Sequence, residues 1–169
     1  MNIAAAADSK DERRDRYMII DIKNRLHGII SLLLILTAVG YGAREISYDS
    51  GGWAAAYLIL TALLIPAVIY SYCAKCPCRE HSCGHILPGL ITKYLPQREQ
   101  SPYNKYEYAV VGVSFGLMIC IPLLWLADRG ESVVVYAALY AASFAEIRLW
   151  VCPACENKNC PLNRVDDLA

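Results

Sequence analysis

Four long apolar segments constrain this chain more than any other feature. They cover residues 26–43, 53–72, 109–127 and 133–151. Each approaches the roughly 20 residues that an α-helix needs to cross a hydrocarbon core about 30 Å thick. Inside such a core, a single segment satisfies all its backbone hydrogen bonds only as a helix. The chain is therefore predicted to be an all-α integral membrane protein, a bundle of four transmembrane helices embedded in a lipid bilayer.

The composition agrees with a membrane protein and argues against a nucleic-acid partner. Hydrophobic residues make up 56% of the chain and charged residues 19%, whereas a soluble domain is about half apolar and about a quarter charged. The formal net charge is zero. The chain therefore lacks the overall positive charge by which proteins attract nucleic acids.

The connections between the apolar segments predict two helical hairpins. Residues 44–52 and 128–132 form short connections, whereas residues 73–108 form a long, polar and cysteine-bearing one. Each hairpin is followed by a Cys-rich motif. The predicted domains are a charged, partly disordered N-terminal segment (1–25), a membrane domain that includes the central loop (26–151) and a Cys-rich tail (152–169).

The positions of lysine and arginine predict the orientation. Fourteen of these residues lie in the N-terminal segment, the central loop or the C-terminal end, and only Arg44 and Arg129 fall on the opposite side. Basic residues near transmembrane segments collect on the cytoplasmic side. We therefore expect both termini and the central loop to be cytoplasmic, in a protein integral to the plasma (inner) membrane.

Seven of the eight cysteines lie in two short motifs, one after each hairpin. The first contains Cys73, Cys76, Cys78 and Cys83, together with His81 and His85, and the second contains Cys152, Cys155 and Cys160. Aligning Cys76-Pro77 with Cys152-Pro153, with one residue of slack, gives Cys-Pro-(x)-Cys-x4-Cys twice. Both motifs are therefore expected at the same face of the bilayer.

Clustered thiols at this spacing are typical of a metal site. A Cys-x2-Cys turn brings two sulfur atoms onto one cation, and further thiols or imidazoles complete the tetrahedron that zinc prefers. The predicted ligands are Cys73, Cys76, Cys78, Cys83, His85, Cys152, Cys155 and Cys160, with His81 and His27 as further candidates. Zinc is the favoured ion and an iron–sulfur cluster the alternative. The motifs fit either one shared site or two.

Other interpretations stay open for some of these residues. Both Cys-x2-Cys pairs also fit dithiol redox chemistry, and juxtamembrane cysteines are acceptors for S-acylation. Glu146 lies inside the fourth apolar segment, where an acidic residue is costly and is a candidate functional group. Cys120 lies alone in the third segment and is interpreted as a small apolar filler.

No catalytic motif accompanies these features, and an enzyme is not predicted. The chain contains no phosphate-binding loop, Ser-His-Asp set or His-Glu-x2-His pattern. The leading hypothesis is a metal-binding membrane module with a structural, sensing or docking role toward a cytoplasmic or membrane protein. The alternatives are a redox protein and a metal-handling protein. Gly112 and Gly116 predict close helix packing, and a homo-oligomer is compatible with the pattern.

Overall fold

The computed structural model describes residues 3–76, 83–99, 101–155, 157 and 160, and the side chains of these residues from residue 22 onward except those of Ile86 and Ala154. Five α-helices make up most of this part of the chain. They are α1 (Ile3–Ser47), α2 (Gly51–Tyr72), α3 (Ile86–Thr92), α4 (Lys105–Leu126) and α5 (Gly130–Glu146).

Four helices are long and apolar enough to cross a membrane, which confirms the predicted all-α, four-span architecture. The spans are Ile22–Ser47, Gly51–Lys75, Lys105–Leu126 and Gly130–Val151. The remaining helix, α3, belongs to the central loop and lies at the end of the bundle that carries both cysteine motifs, which we call the cysteine end.

Helix α4 begins four residues before the predicted boundary because its first turn is capped. The Asn104 side chain accepts a hydrogen bond from the Glu107 backbone N–H at 2.9 Å, and the Glu107 carboxylate accepts one from the Asn104 N–H at 2.8 Å. This reciprocal capping box satisfies two backbone donors that a helix start leaves unpaired. The polar residues before residue 109 therefore extend the helix rather than end it.

The bundle core forms where α1 packs against the other three spans. One cluster joins α1, α2 and α4 through buried side chains that include Ile46, Tyr57 and Met118, and a second joins α1, α4 and α5 through Leu126 and Tyr136. Helix α1 packs most extensively against α5, and α2 against α4, whereas α4 and α5 share little surface. The predicted division into two hairpins therefore stays a prediction.

A proline inside α4 creates a polar contact in the middle of the bundle. Pro122 has no backbone N–H, so the carbonyl of Met118, four residues earlier, loses its usual helical partner. The hydroxyls of Tyr57 from α2 and Tyr136 from α5 both donate to this carbonyl at 3.0 Å. A carbonyl released by the proline thus joins three spans, because a polar group in this interior must find a donor.

The small-residue stripe of α4 does not pack inside the bundle. A Cβ atom added at Gly112 or at Gly116 would meet no described atom within 4 Å. Cys120, one turn further along, is exposed. The expectation that Gly112 and Gly116 bring α4 close to another span of the same chain is therefore wrong, because the stripe faces outward.

Candidate metal centre at the cysteine end

Both cysteine motifs begin with the same backbone turn at the end of a span. After α2, a 3₁₀ turn covers Cys73–Lys75, and the N–H of Cys76 donates to the carbonyl of Cys73 at 3.1 Å. After α5, a 3₁₀ turn covers Cys152–Ala154, and the N–H of Cys155 donates to the carbonyl of Cys152 at the same distance. In both turns the last cysteine is extended, with ψ of 126° and 129°.

This equivalence corrects the alignment made from the sequence. Prolines 77 and 153 suggested that Cys76 corresponds to Cys152, but the turns pair Cys73 with Cys152 and Cys76 with Cys155. The proline misleads because it follows the second cysteine in one motif and the first in the other. The shared unit is therefore Cys-x2-Cys at a helix C-terminus.

The two motifs meet through Asn157 and Tyr103. The Asn157 amide, from the second motif, donates to the Cys76 sulfur at 3.6 Å and to the Tyr103 hydroxyl at 3.1 Å. That hydroxyl donates in turn to the carbonyl of Tyr72, the last residue of α2, at 3.2 Å. A side chain between Cys155 and Cys160 thus reaches the first motif directly. The described residues of both motifs therefore lie at one end of the bundle.

The thiols of both motifs lie within electrostatic range of one another. Cys73 interacts in this way with Cys83 of its own motif and with Cys155 and Cys160 of the other. Cys83 also donates a hydrogen bond to the carbonyl of His85 at 3.3 Å. Cys73, Cys152 and Cys160 carry free thiols. Four of the predicted ligands, Cys73, Cys83, Cys155 and Cys160, are therefore neighbours.

Close approach of two backbone segments, with a side chain of a third, fixes the first motif against the bundle. Gly84 lies between Cys83 and His85, and a Cβ atom added to Gly28 of α1 would overlap its carbonyl oxygen. A Cβ atom added to Gly84 would lie 2.8 Å from Val151, the residue before Cys152. Only glycine permits such an approach. This contact was not predicted, although the sequence has a glycine beside His27 and another between Cys83 and His85.

His27 and Glu146, predicted separately, form a pair. The Nδ1 atom of His27 lies 2.6 Å from Oε2 of Glu146, across the interface of α1 and α5. The imidazole also stacks on Trp150, with ring centroids 4.8 Å apart and an interplanar angle of 6°. The hydrogen bond pairs one polar atom of each residue at the edge of the span. These contacts favour a structural role for Glu146 and hold His27 against α5.

The electrostatic setting favours neutral ligands. Burial and, to a smaller extent, the nearby Cys160 raise the pKa of the Cys152 thiol to about 11, although Arg148 opposes both effects. Burial lowers the pKa of His85. At neutral pH the thiol is therefore protonated and the imidazole is uncharged. The imidazole is ready to bind a metal, whereas the thiol must first release its proton, as a coordinating thiol does.

In the part of the chain that the structure describes, no group of three or more Cys, His, Asp or Glu side chains is placed to hold one metal ion. Two predicted ligands, Cys78 and His81, lie outside the described residues. The structure thus brings the backbones of the two motifs together without arranging their side chains around a common point. The metal and its ligand set stay predictions.

A buried ion pair beside the cysteines escaped the sequence analysis. Lys75, between Cys73 and Cys76, places its Nζ atom 2.8 Å from Oε1 of Glu107, and both side chains are buried. The Asn104-x2-Glu107 pattern could have predicted a capping box. Nothing in the sequence identifies Lys75 as the partner of a residue 32 positions away.

Comparisons of the chain with protein-family models, with curated proteins and with solved structures give no match. The function of the cysteine end is therefore inferred from its own residues alone.

Proposed function

We propose that this chain is a membrane module whose two hairpins are joined by a cytoplasmic Cys/His metal site, with zinc as the favoured ion. Its role would be structural, or would serve in sensing or in docking another protein. The observation that carries the proposal is the pair of matching Cys-x2-Cys turns linked by the contact from Asn157 to Cys76. Rotation about χ1 moves a thiol while its backbone stays fixed, so matching turns are the part of a metal site that the fold must supply.

The position of the thiols supports a cation over dithiol redox chemistry. Both Cys-x2-Cys turns follow the C-terminus of a span, where the helix dipole presents partial negative charge. A reactive dithiol needs a thiolate with a lowered pKa, as at a helix N-terminus, whereas the pKa of Cys152 is raised to about 11. A metal cation at the same place interacts favourably with the helix dipoles and with the thiolates, which form when the thiols release their protons to bind it.

The orientation of the module rests on charge. Fourteen lysines and arginines on the side of the cysteines, against two on the other, support a cytoplasmic cysteine end. A reducing cytoplasm also favours metal thiolates over disulfides. The bundle is expected in the plasma (inner) membrane.

Metal analysis and a visible spectrum of the full chain, purified anaerobically in detergent, test the proposal. Stoichiometric zinc without a visible band is the expected result. Iron with sulfide and broad absorption near roughly 400 nm would identify the iron–sulfur alternative. A metal-free protein with a reversible two-electron thiol titration would overturn the metal site.

Labelling of intact cells with a membrane-impermeant thiol reagent tests the orientation separately. The loop cysteines are expected to label only after the membrane is permeabilised. Strong labelling of Cys73 or Cys155 from outside would overturn the cytoplasmic assignment. A Cys120→Ser variant removes the signal of the one cysteine that lies outside the motifs.

A further inference from the structure

Arg98 lies where the cysteine end meets the lipid-facing surface of α2. Its backbone N–H donates to the carbonyl of Ala74 at 3.2 Å, which fixes the segment after α3 to the turn after α2. Its guanidinium lies over the ring of Tyr70, 5.1 Å from the centroid. Tyr70 ends a stripe of exposed side chains at helical spacing, which contains Ile59, Leu63, Pro66 and Tyr70. Because this stripe belongs to a span, Arg98 lies at the level of the lipid headgroups.

Lys75, Glu107 and Arg98 form a group with one excess positive charge. Oε1 of Glu107 lies 2.8 Å from Nζ of Lys75 and 2.8 Å from Nη2 of Arg98. Two cations thus share one carboxylate in the described part of the chain. Lys75 is 7% exposed and also donates to Ser101, whereas Arg98 is 28% exposed. The uncompensated charge is therefore accessible at Arg98.

The backbone N–H of Asn104, at the start of α4, is not available to bind an anion here. The Glu107 carboxylate already accepts the hydrogen bond of the Asn104 N–H. The available donors are those of the Arg98 guanidinium, which carries five N–H groups in a planar fork. Such a fork matches the oxygen atoms of a phosphate, and stacking on an aromatic ring fixes its plane.

Helix α3 adds an apolar surface beside this charge. Gly89 and Thr92 are buried against the bundle, whereas the opposite side of the helix is exposed. The exposed residues are Leu87, Leu90 and Ile91, followed by Lys93 and Tyr94. An apolar side bordered by tyrosine and lysine is typical of a segment at a membrane interface.

We propose that Arg98 binds the phosphodiester of an anionic phospholipid, whose acyl chains lie along α2 and the exposed side of α3. A single negative headgroup compensates the excess charge of the Lys75–Glu107–Arg98 group. A zwitterionic headgroup does so less well because it brings its own cation. This site uses none of the proposed metal ligands.

Native mass spectrometry of the full chain in detergent, with added short-chain phosphatidylglycerol or phosphatidylcholine, tests the site. The wild-type chain is expected to bind phosphatidylglycerol more tightly. Arg98→Gln should weaken that binding roughly 10- to 100-fold, the range expected for lost hydrogen bonds to a charged group. Arg129→Gln, at the opposite end of the bundle, should leave it unchanged.

A second variant separates binding from folding, because Arg98 also pairs with Glu107. Tyr70→Leu removes the ring beneath the guanidinium and leaves the ion pair intact, so it should reduce the preference for phosphatidylglycerol in a folded protein. Unchanged preference in both variants, or in Tyr70→Leu if Arg98→Gln cannot be purified, would overturn the proposal. Equal competition by inorganic phosphate would also overturn it, since the site would then take free phosphate.

Discussion

Both ends of the bundle contain an ion pair, but the cysteine end also brings thiols together. At the end opposite the cysteines, Nη1 of Arg129, between α4 and α5, lies 2.8 Å from Oε2 of Glu45 in α1. The Glu45 carboxylate raises the pKa of Arg129 further above its ordinary value. At the cysteine end, the Lys75–Glu107 ion pair is accompanied by neutral contacts: an amide on a sulfur, a tyrosine hydroxyl on a carbonyl, and glycines in close approach.

The difference is whether the stability of an end requires a further component, such as a bound metal. A carboxylate and a guanidinium carry fixed opposite charges at neutral pH, so Glu45 and Arg129 need no further component. Thiols and imidazoles bind weakly to each other but strongly to soft or borderline cations. The stability of the cysteine end should therefore depend on metal, and that of the opposite end should not.

The largest effect is expected when ligands are removed from the cysteine end. Metal binding contributes about 10–16 kcal/mol in zinc-finger peptides, so Cys76→Ser or Cys155→Ser should each abolish most metal retention. If the motifs share one site, the double variant should lose no more than either single variant. Metal analysis and thermal unfolding with and without chelator measure this. Independent, additive losses would indicate two sites, and Cys120→Ser serves as the matched control.

The next effect concerns the glycine contact that holds the first motif. Gly28→Ala places a methyl group against the Gly84 carbonyl and should lower the free energy of unfolding by about 1–3 kcal/mol. Gly40→Ala, in the same helix, meets no described atom within 4 Å and should be neutral or stabilising by up to about 1 kcal/mol. Thermal unfolding in detergent compares the two. Equal stability would show that the backbones separate easily.

A smaller effect on the free energy of unfolding is expected in the middle of the bundle, and it should not depend on bound metal. Tyr57→Phe removes one of two hydrogen bonds to the Met118 carbonyl and should cost about 0.5–1.5 kcal/mol. Pro122→Ala supplies a backbone donor to that carbonyl, so the same tyrosine change should cost less in this background. Thermal unfolding of the wild type, the two single variants and the double variant, with and without chelator, tests this coupling. Identical costs in both backgrounds would refute the link between proline and tyrosine.

The smallest effect is expected at the opposite end. Glu45→Gln keeps the shape of the side chain and removes its charge, and water can solvate the partly exposed Arg129. The midpoint of thermal unfolding should fall slightly, and added salt should shrink the difference from wild type. Chelator should leave the difference unchanged. A metal-dependent difference would show that the two ends are coupled through the bundle.

The sequence predicts the spans well because membrane burial is a property of composition. All four apolar segments became helices of sufficient length. Their boundaries shifted where a cap outweighed hydropathy, as at Asn104 before α4. Ser50 plays the same part for α2, accepting a hydrogen bond from the Trp53 N–H.

The candidate site was predictable only as a set of residue types at one end of the bundle. The pairing of Cys73 with Cys152 depends on where each span ends, which the prolines obscured. The partners of Lys75 and His27 lie 32 and 119 positions away. Such contacts arise from packing of the spans, which a single sequence does not specify.

The widened turn at the end of α5 sets the direction in which the second motif faces. Over Ile147–Val151 the helix is π-helical, and the N–H of Cys152 donates to the carbonyl of Ile147, five residues earlier. Such a turn contains one residue more than an α-helical turn, and one residue corresponds to about 100° of rotation. Rewinding this turn as a regular α-helix without removing a residue would rotate Cys152 and Cys155 by about 100° around the helix axis, whereas deleting one residue would leave their direction nearly unchanged. The phase of one helical turn thus decides whether the second motif can face the first.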